Sequence, residues 1–182
     1  MFLKYGFTLL EMLMALFITA LLAMLMVPVG SHFYHASQSQ IVREALWDGL
    51  DFALREANIK HQLIAICASQ DQITCQHQAN QALIIFIDNE NDGVIHDKTQ
   101  LLRVISLAHG TLYSRSFPIT RQYIQISRPE EMTINNGTFW YCLPKVASPD
   151  WAIALSVTGE MRLQLPDKEG RIKDGHGKRL MC

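Results

Sequence analysis

The sequence lacks the patterns that mark common enzymes and metal proteins. It contains no G-x-S-x-G, Walker A or dinucleotide-binding motif. Its seven histidines are scattered, and although His32 and His35 lie three residues apart, no third ligand accompanies them. We therefore predict that the protein is not an enzyme, and we predict neither a cofactor nor a metal centre.

A large charge surplus is also missing, because the formal net charge is −1, so bulk charge gives no reason to expect nucleic-acid binding. None of the four cysteines forms a C-x-x-C pair, which excludes the common zinc-ribbon and thioredoxin-type spacings. The chain shows no internal repeat, low-complexity segment or evident linker. Its 182 residues suffice for one domain with a hydrophobic core.

Charged residues are absent from Met12 to Gly30. This stretch is longer than the apolar region of about 7–15 residues in a secretory signal, and Val29-Gly30-Ser31 is only a weak cleavage site. A transmembrane anchor of about 20 residues is the next interpretation, and Lys4 then favours a cytoplasmic N-terminus. Neither interpretation accounts for Glu11, since a carboxylate in an apolar helix requires a dedicated partner.

The string Gly6-Phe7-Thr8-Leu9-Leu10-Glu11 resembles the class III signal of type IV pilins. The resemblance implies that residues 1–6 are a leader, that a prepilin peptidase cuts between Gly6 and Phe7, and that the new amine of Phe7 is methylated. It also implies that Glu11 pairs with the N-terminal ammonium group of its own or a neighbouring subunit, so that two buried charges neutralise each other. A signal anchor with one isolated acid is the alternative.

Beyond the apolar segment, hydrophobic residues recur at steps of mostly three and four, which is typical of an amphipathic helix; they are Ile41, Ala45, Leu46, Leu50, Ala53, Leu54 and Ala57. We predict a helix from Phe7 to about His61, bent at Pro28. Its length of roughly 80 Å exceeds what one domain can cover. Residues 7–30 are therefore predicted to lie in a membrane or filament core, and residues 31–182 to hold the second helix half and a globular domain.

After Leu63 the pattern changes to short segments rich in β-branched and aromatic residues, separated by turn formers. We predict strands at 63–67, 82–87, 100–105, 124–126, 137–142, 153–157 and 161–165. Thr158-Gly159 predicts a tight hairpin between the last two strands. The expected fold class is α+β, with one long N-terminal helix packed on antiparallel sheet.

Three segments of this half resemble the GspH/FimT family, which includes the minor pilins FimT and FimU and the secretion pseudopilin GspH. The segments are Ile66-Cys67 with Cys75, then Leu83 to Gly93 with Leu101-Leu102-Arg103, and Gly137 to Cys142 with Leu155 to Gly159 and Cys182. Two disulfides are suggested, Cys67–Cys75 and Cys142–Cys182, among the three pairings that four cysteines allow. Free buried thiols are the alternative.

The acidic string Asp88-Asn89-Glu90-Asn91-Asp92-Gly93 begins like a calcium loop, but Thr99 stands where an EF-hand has a glutamate. Because strands and not helices flank the string, we predict a solvated hairpin turn. Weak calcium binding is the alternative.

Basic residues dominate the tail from Lys168 to Arg179, where five cations, Lys168, Arg171, Lys173, Lys178 and Arg179, face two acids, Glu169 and Asp174. Such a tail predicts either a solvated surface or a phosphate-binding patch. In the FimT branch of the family, a Gly-Arg-x-Arg-type motif is linked to DNA binding. The similar string here is Gly159-Glu160-Met161-Arg162, which keeps Arg162 and has Glu160 in place of the first arginine.

The resemblance as a whole implies a minor pilin that takes part in pilus assembly or initiation near the pilus tip. Its implied partners are other minor and major pilins, contacted through the N-terminal helix, and the prepilin peptidase. The implied location is the inner membrane, crossed once with the globular domain in the periplasm, and afterwards the pilus at the cell surface. A DNA-binding minor pilin for natural transformation and a type II secretion pseudopilin are the alternative functions.

Overall fold

The computed structural model describes residues 8–107, 110–117, 119, 121–126, 135–174 and 177–182, without the side chains of residues 25–36. The predicted cleavage site at Gly6 and Phe7 lies outside the described residues. The side chain of Pro28 also lies outside the described part of the structure, so the predicted helix bend at Pro28 stays a prediction. Two compact units divide the chain, Met1–Ser37 and Gln38–Cys182.

One helix, α1, runs from Leu9 to Lys60, which confirms the predicted helix to within two residues at each end. At its start, the hydroxyl of Thr8 accepts a hydrogen bond from the backbone N–H of Glu11 at 3.3 Å, as an N-cap residue does. At its end, His61 has a positive φ of 52°, which stops the helix because a left-handed residue cannot continue it.

Within the second unit, one face of α1 is buried, and its steps of three and four residues match a helical stripe; it consists of Val42, Leu46, Leu50, Ala53 and Ala57. Ile41, which we placed on this face, is 55% exposed. The sheet approaches the helix closely at Gly49, where an added Cβ would lie 2.6 Å from the Cδ1 atom of Ile105.

Among the described residues, nine strands form two antiparallel sheets, which confirms the α+β class. The strands are β1 Ile64–Ser69, β2 Gln78–Ala79, β3 Ala82–Ile87, β4 Leu101–Ser106, β5 Thr111–Ser116, β6 Ile124–Ile126, β7 Gly137–Cys142, β8 Trp151–Leu155 and β9 Met161–Gln164. The first sheet has the order β4-β3-β1-β6 and the second the order β2-β5-β7-β8-β9. A short 3-10 helix, Lys98–Gln100, precedes β4.

Strands β2 and β5 were not predicted. In β5 the buried positions are Leu112, Ser114 and Ser116, so two of the three core-facing residues are serines and the expected apolar alternation is absent. Their hydroxyls are satisfied locally, since Ser114 donates to the carbonyl of Gln76 and Ser116 to that of Arg121. Strand β2 has two residues, too few for a periodic signal.

The main core lies between the helix and the inner faces of the sheets. Tyr141 and Trp151 stack there with ring centroids 5.5 Å apart. The indole N–H of Trp151 donates to the hydroxyl and carbonyl oxygens of Ser39 on α1, at 3.0 and 3.2 Å, and the Ser39 hydroxyl donates to Asp150. This buried polar group is thus fully partnered, and it fixes the start of the second unit's helix against β8.

The outer face of the second sheet is covered in part by the C-terminal tail, meaning the described residues from 167 to 182. Ile172 and Leu180 are buried there against Trp140, whose indole N–H donates to the carbonyl of Met181 at 3.0 Å. A disulfide joins Cys142 of β7 to Cys182, and a second disulfide joins Cys67 to Cys75. The tail is therefore held to the sheet by a covalent bond as well as by burial.

We expect the two disulfides to differ in their contribution to stability, because one spans 40 residues and the other 8. Loop-closure entropy gives about 4 kcal/mol for the Cys142–Cys182 bond and about 2.5 kcal/mol for Cys67–Cys75. The paired variants Cys142→Ser/Cys182→Ser and Cys67→Ser/Cys75→Ser, compared by urea unfolding, measure this difference. Equal losses, or free thiols at Cys142 and Cys182 in non-reducing peptide mapping, would contradict it.

Candidate functional site

The N-terminal part of α1 is an exposed apolar surface. Every described side chain from Thr8 to Met24 is exposed, with Leu9 at 82% and Met24 at 77%. Soluble proteins rarely leave a continuous apolar surface of this extent in water. We call this segment the assembly helix. Among the described residues, no helix has a stretch long and apolar enough to meet the requirements of a membrane span.

Glu11 carries the one charge between Thr8 and Met24. It occupies the third position of α1, one turn from the helix start. Backbone N–H groups and the helix dipole place partial positive charge at this end, which favours a carboxylate there. The surrounding side chains are apolar, so the carboxylate is the single group of this segment that can form an ion pair.

The loop closed by Cys67–Cys75 is organised by Asp71, which sequence reasoning missed. Its carboxylate accepts the backbone N–H groups of Thr74 at 2.8 Å and Ile73 at 2.9 Å, and the hydroxyls of Thr74 and Ser69. The backbone N–H of Thr74 above all holds the pKa of Asp71 far below its usual range. An Asp at the fifth position of a Cys-x7-Cys loop could have indicated a side-chain-capped turn.

The acidic string forms a turn between β3 and β4, as we predicted. Its first residue, Asp88, is buried, whereas we predicted that the turn would be solvated. Asp88 is 1% exposed, and its carboxylate accepts the backbone N–H groups of Asp92 and Gly93 at 3.2 Å each. Burial raises the pKa of Asp88 while these bonds oppose the rise. Its oxygens thus close the turn by accepting backbone hydrogen bonds.

Three side chains of this turn, Glu90, Asp92 and His96, bring potential ligand atoms within 4.8 Å of one another. The Nε2 atom of His96 lies 2.8 Å from Asp92 and 3.3 Å from Glu90. All three are exposed. The hydrogen bond that the ring N–H donates to the carboxylate of Asp92, followed by the negative charge of Glu90, raises the pKa of His96. We call this group the His96 cluster.

The basic residues predicted to contact DNA differ in their surroundings. Arg162 is held by Glu160 in a two-bond fork at 3.0 Å, and Arg171 pairs with Glu169 and Asp167. The remaining four have no anionic partner among the described residues; they are Lys168, Lys173, Lys178 and Arg179. Two of the six basic residues that we predicted to contact DNA are therefore paired with acidic side chains, and DNA binding stays a prediction.

A groove lies beside the tail on the outer face of the second sheet. Its floor is a row of paired residues, Arg115, Thr138, Ala154 and Arg162, one from each of β5, β7, β8 and β9. Lys178 and the exposed Ile119 also line it, and its volume is about 720 Å³. Arg115 pairs with Asp174 of the tail at 2.9 Å, which fixes the wall on the tail side.

Comparison with known proteins agrees with the predicted resemblance. Residues 1–27 match the family described as the prokaryotic N-terminal methylation motif. The chain is similar to the type IV minor pilin FimU of Pseudomonas aeruginosa in crystals of space group P21, with 20% identity over 75% of this chain and 94% of that chain and a TM-score of 0.50. A second FimU crystal form gives 19% identity, 69% and 91% coverage and a TM-score of 0.46. No curated protein sequence matches the chain.

Together these findings show the methylation motif at the N-terminus of the chain and a fold like that of FimU. The likeness to FimU shows the fold and does not by itself identify a function.

For the His96 cluster we expect a histidine that titrates above its ordinary pKa of about 6.5, because Asp92 and then Glu90 favour the protonated ring. The stabilisation is present below the unfolded pKa and is lost as the pH rises through the raised folded pKa. NMR titration of the His96 ring measures this directly. Asp92→Asn should lower the pKa of His96 more than Glu90→Gln does, and an unchanged pKa in Asp92→Asn would show that the pair does not form.

Proposed function

We propose that this protein is a minor pilin, made as a membrane-anchored precursor and built into a type IV pilus through its assembly helix. In this proposal, residues 1–6 are removed between Gly6 and Phe7, and the amine of Phe7 is methylated. The match of residues 1–27 to the methylation motif supports the processing, and the FimU fold supports the subunit type.

The observation that carries the proposal is the assembly helix, whose described side chains are exposed from Thr8 to Met24. Eleven large apolar residues lie in it, each at least 48% exposed; they are Leu9, Leu10, Met12, Leu13, Met14, Leu16, Phe17, Ile18, Leu21, Leu22 and Met24. Burying one such side chain contributes roughly 1.5–3 kcal/mol. This segment therefore favours a membrane or a filament core strongly over water.

Glu11 selects between these two environments. In a membrane, an isolated carboxylate is costly, whereas in a filament it can meet the ammonium group of Phe7 of a neighbouring subunit. Desolvation of both ions is offset when the pair is close and hydrogen-bonded. We propose that this pairing sets the axial position of each new subunit as it leaves the membrane.

The proposed route begins in the inner membrane, with the second unit in the periplasm, and ends in the pilus near its tip. Other minor and major pilins are the proposed partners, and the prepilin peptidase is the processing enzyme. The two disulfides support an oxidising compartment for residues 38–182. Initiation of assembly together with other minor pilins is the role that this placement favours.

Processing gives the first test of the proposal. Mass spectrometry of the mature protein should find a chain shortened by Met1 to Gly6 that begins with methylated Phe7. An intact Met1 in the mature protein, or a cut after the apolar segment, would overturn the assignment. Gly6→Leu should block processing and leave the precursor in the membrane fraction.

Glu11→Ala should strongly reduce incorporation into filaments, because the partner ammonium group would then be buried without a counter-charge. The matched control is Glu44→Ala, which removes an exposed carboxylate of the same helix whose described partner is Gln40 at 2.8 Å. Immunoblots of sheared pili against the membrane fraction measure incorporation. If Glu11→Ala and Glu44→Ala enter filaments equally well, Glu11 has no role in assembly.

A further inference from the structure

Strand β9 forms an open edge of the second sheet. The backbone N–H of Ser156 donates to the carbonyl of Glu160, so these two residues form a hydrogen-bonded pair. In an antiparallel ladder, hydrogen-bonded and non-hydrogen-bonded pairs alternate, which fixes the type of every later pair of the hairpin. Arg162 and Gln164 therefore direct their backbone groups towards β8, opposite Ala154 and Ala152. The backbone groups of Met161 and Leu163 point away from the sheet and have no backbone partner in the described part of the chain.

The other described edges are shorter or less regular. Strands β2 and β6 have two and three residues. Strand β4 meets β3 with a register shift between Ile85 and Phe86, an irregularity that discourages pairing with further strands. The β8–β9 ladder keeps one register over its four pairs, so β9 offers the most regular free edge.

Exposed apolar side chains flank this edge, and one of them, Leu163, lies on the inner face of the sheet. Leu163 lies opposite the core residue Ile153, which places it on the inner face, yet it is 40% exposed. Leu165, just past the end of β9, and Val157, in the turn before it, are 59% and 56% exposed. An additional strand would cover these side chains with every second residue, because alternate residues of a strand share a face. Those residues of the occupant should be apolar.

On the outer face, the same edge borders the groove, where Arg162 and Gln164 of β9 point. Three cations line the groove, Arg115, Arg162 and Lys178, against two acids, Glu160 and Asp174. The described residues of the groove thus have a formal charge of +1, and among them Lys178 has no anionic partner. Residues of the occupant on this face should therefore be acidic.

From this arrangement we infer that β9 is a docking edge for an extended segment of another protein in which apolar and acidic residues alternate. The segment adds to the sheet as a sixth strand beside β9. Its apolar residues cover Leu163 and Leu165, and its carboxylates enter the groove near Arg162 and Lys178. Main-chain hydrogen bonds to Met161 and Leu163 supply affinity, and the two faces supply specificity, as in other cases of strand addition.

Two other occupants fit the edge less well. A second copy pairing β9 against β9 over the length of the strand would place Arg162 opposite Arg162 or Gln164 of its partner, and neither supplies a carboxylate; a register that places Arg162 opposite Glu160 would pair only the first residues of β9. Duplex DNA could use the same cations as a carboxylate does, but phosphates cannot donate hydrogen bonds to the carbonyls of β9 that point away from the sheet.

The test uses the full chain in detergent micelles and a labelled peptide, acetyl-Thr-Glu-Val-Glu-Val-Glu-Val-Thr-amide. Fluorescence polarisation should give a Kd on the order of 0.1–1 mM, as expected for a short unconstrained strand. Hydrogen-exchange mass spectrometry should show slowed exchange in residues 161–165. No binding at millimolar peptide, or equal binding of a peptide with lysine in place of glutamate, would overturn the inference.

Leu163→Pro removes the outward N–H group and leaves the bonds to β8 in place, which edge strands tolerate. It should weaken peptide binding about tenfold or more, whereas Leu163→Ala, which keeps the N–H group, should bind within a few-fold of the native chain. Equal binding by Leu163→Pro and the native chain would refute strand addition. If Leu163→Pro fails to fold, a peptide N-methylated at alternate amides replaces it and should lose binding.

Two competing outcomes are decided in the same assay. Self-association that Leu163→Pro abolishes would make a second copy the occupant and refute the inference. Displacement of the peptide by duplex DNA, with a steep dependence on salt, would assign the groove to nucleic acid instead. Because no filament is needed in this assay, its failure would leave the proposed role of the assembly helix untouched.

Discussion

The apolar surface from Thr8 to Met24 is the constraint on which the rest of the molecule depends. At roughly 1.5–3 kcal/mol each, burying its eleven large apolar side chains would contribute on the order of 15–30 kcal/mol that the described part of the chain does not supply. This is comparable to or greater than the net stability of a typical domain, about 5–15 kcal/mol. The described residues of the chain leave the assembly helix uncovered, and Glu11 is the one charge that any covering environment would have to accommodate there.

The second unit, by contrast, holds a complete core. Its helix face, both sheets and both disulfides lie between Gln38 and Cys182. Three polar side chains link its segments: Ser39 of α1 is bound to Trp151, Asp71 organises the first disulfide loop and Asp88 closes the turn after β3. The unit can thus keep its shape while the assembly helix changes its surroundings.

Strand bounds were predicted best from the sequence where the buried positions of a strand hold apolar residues. Strands β3, β6 and β7 have the predicted bounds, because β-branched and aromatic residues fill their buried positions. Strand β5 escaped notice because Ser114 and Ser116 occupy core-facing positions. The burial of Asp88 and the covering of Trp140 by Ile172 and Leu180 depend on contacts between distant segments, which no local pattern contains. The pairing of Arg162 with Glu160 is local, because the two residues are two positions apart, and the sequence could indicate it. The groove is formed by distant segments, so the sequence could not indicate it.

The groove persists because the tail that could fill it is fixed elsewhere. Leu180 and the Cys142–Cys182 disulfide hold the tail over Trp140, and Arg115 ties Asp174 to the neighbouring row of the sheet. The next residues of that row, Thr138 and Ala154, are too small to fill the space between Arg115 and Arg162. A tail free to slide could cover them, but the covalent bond prevents this. The Cys142–Cys182 disulfide and the buried Leu180, which hold the tail on the second sheet, therefore also keep the outer face of that sheet open beside β9.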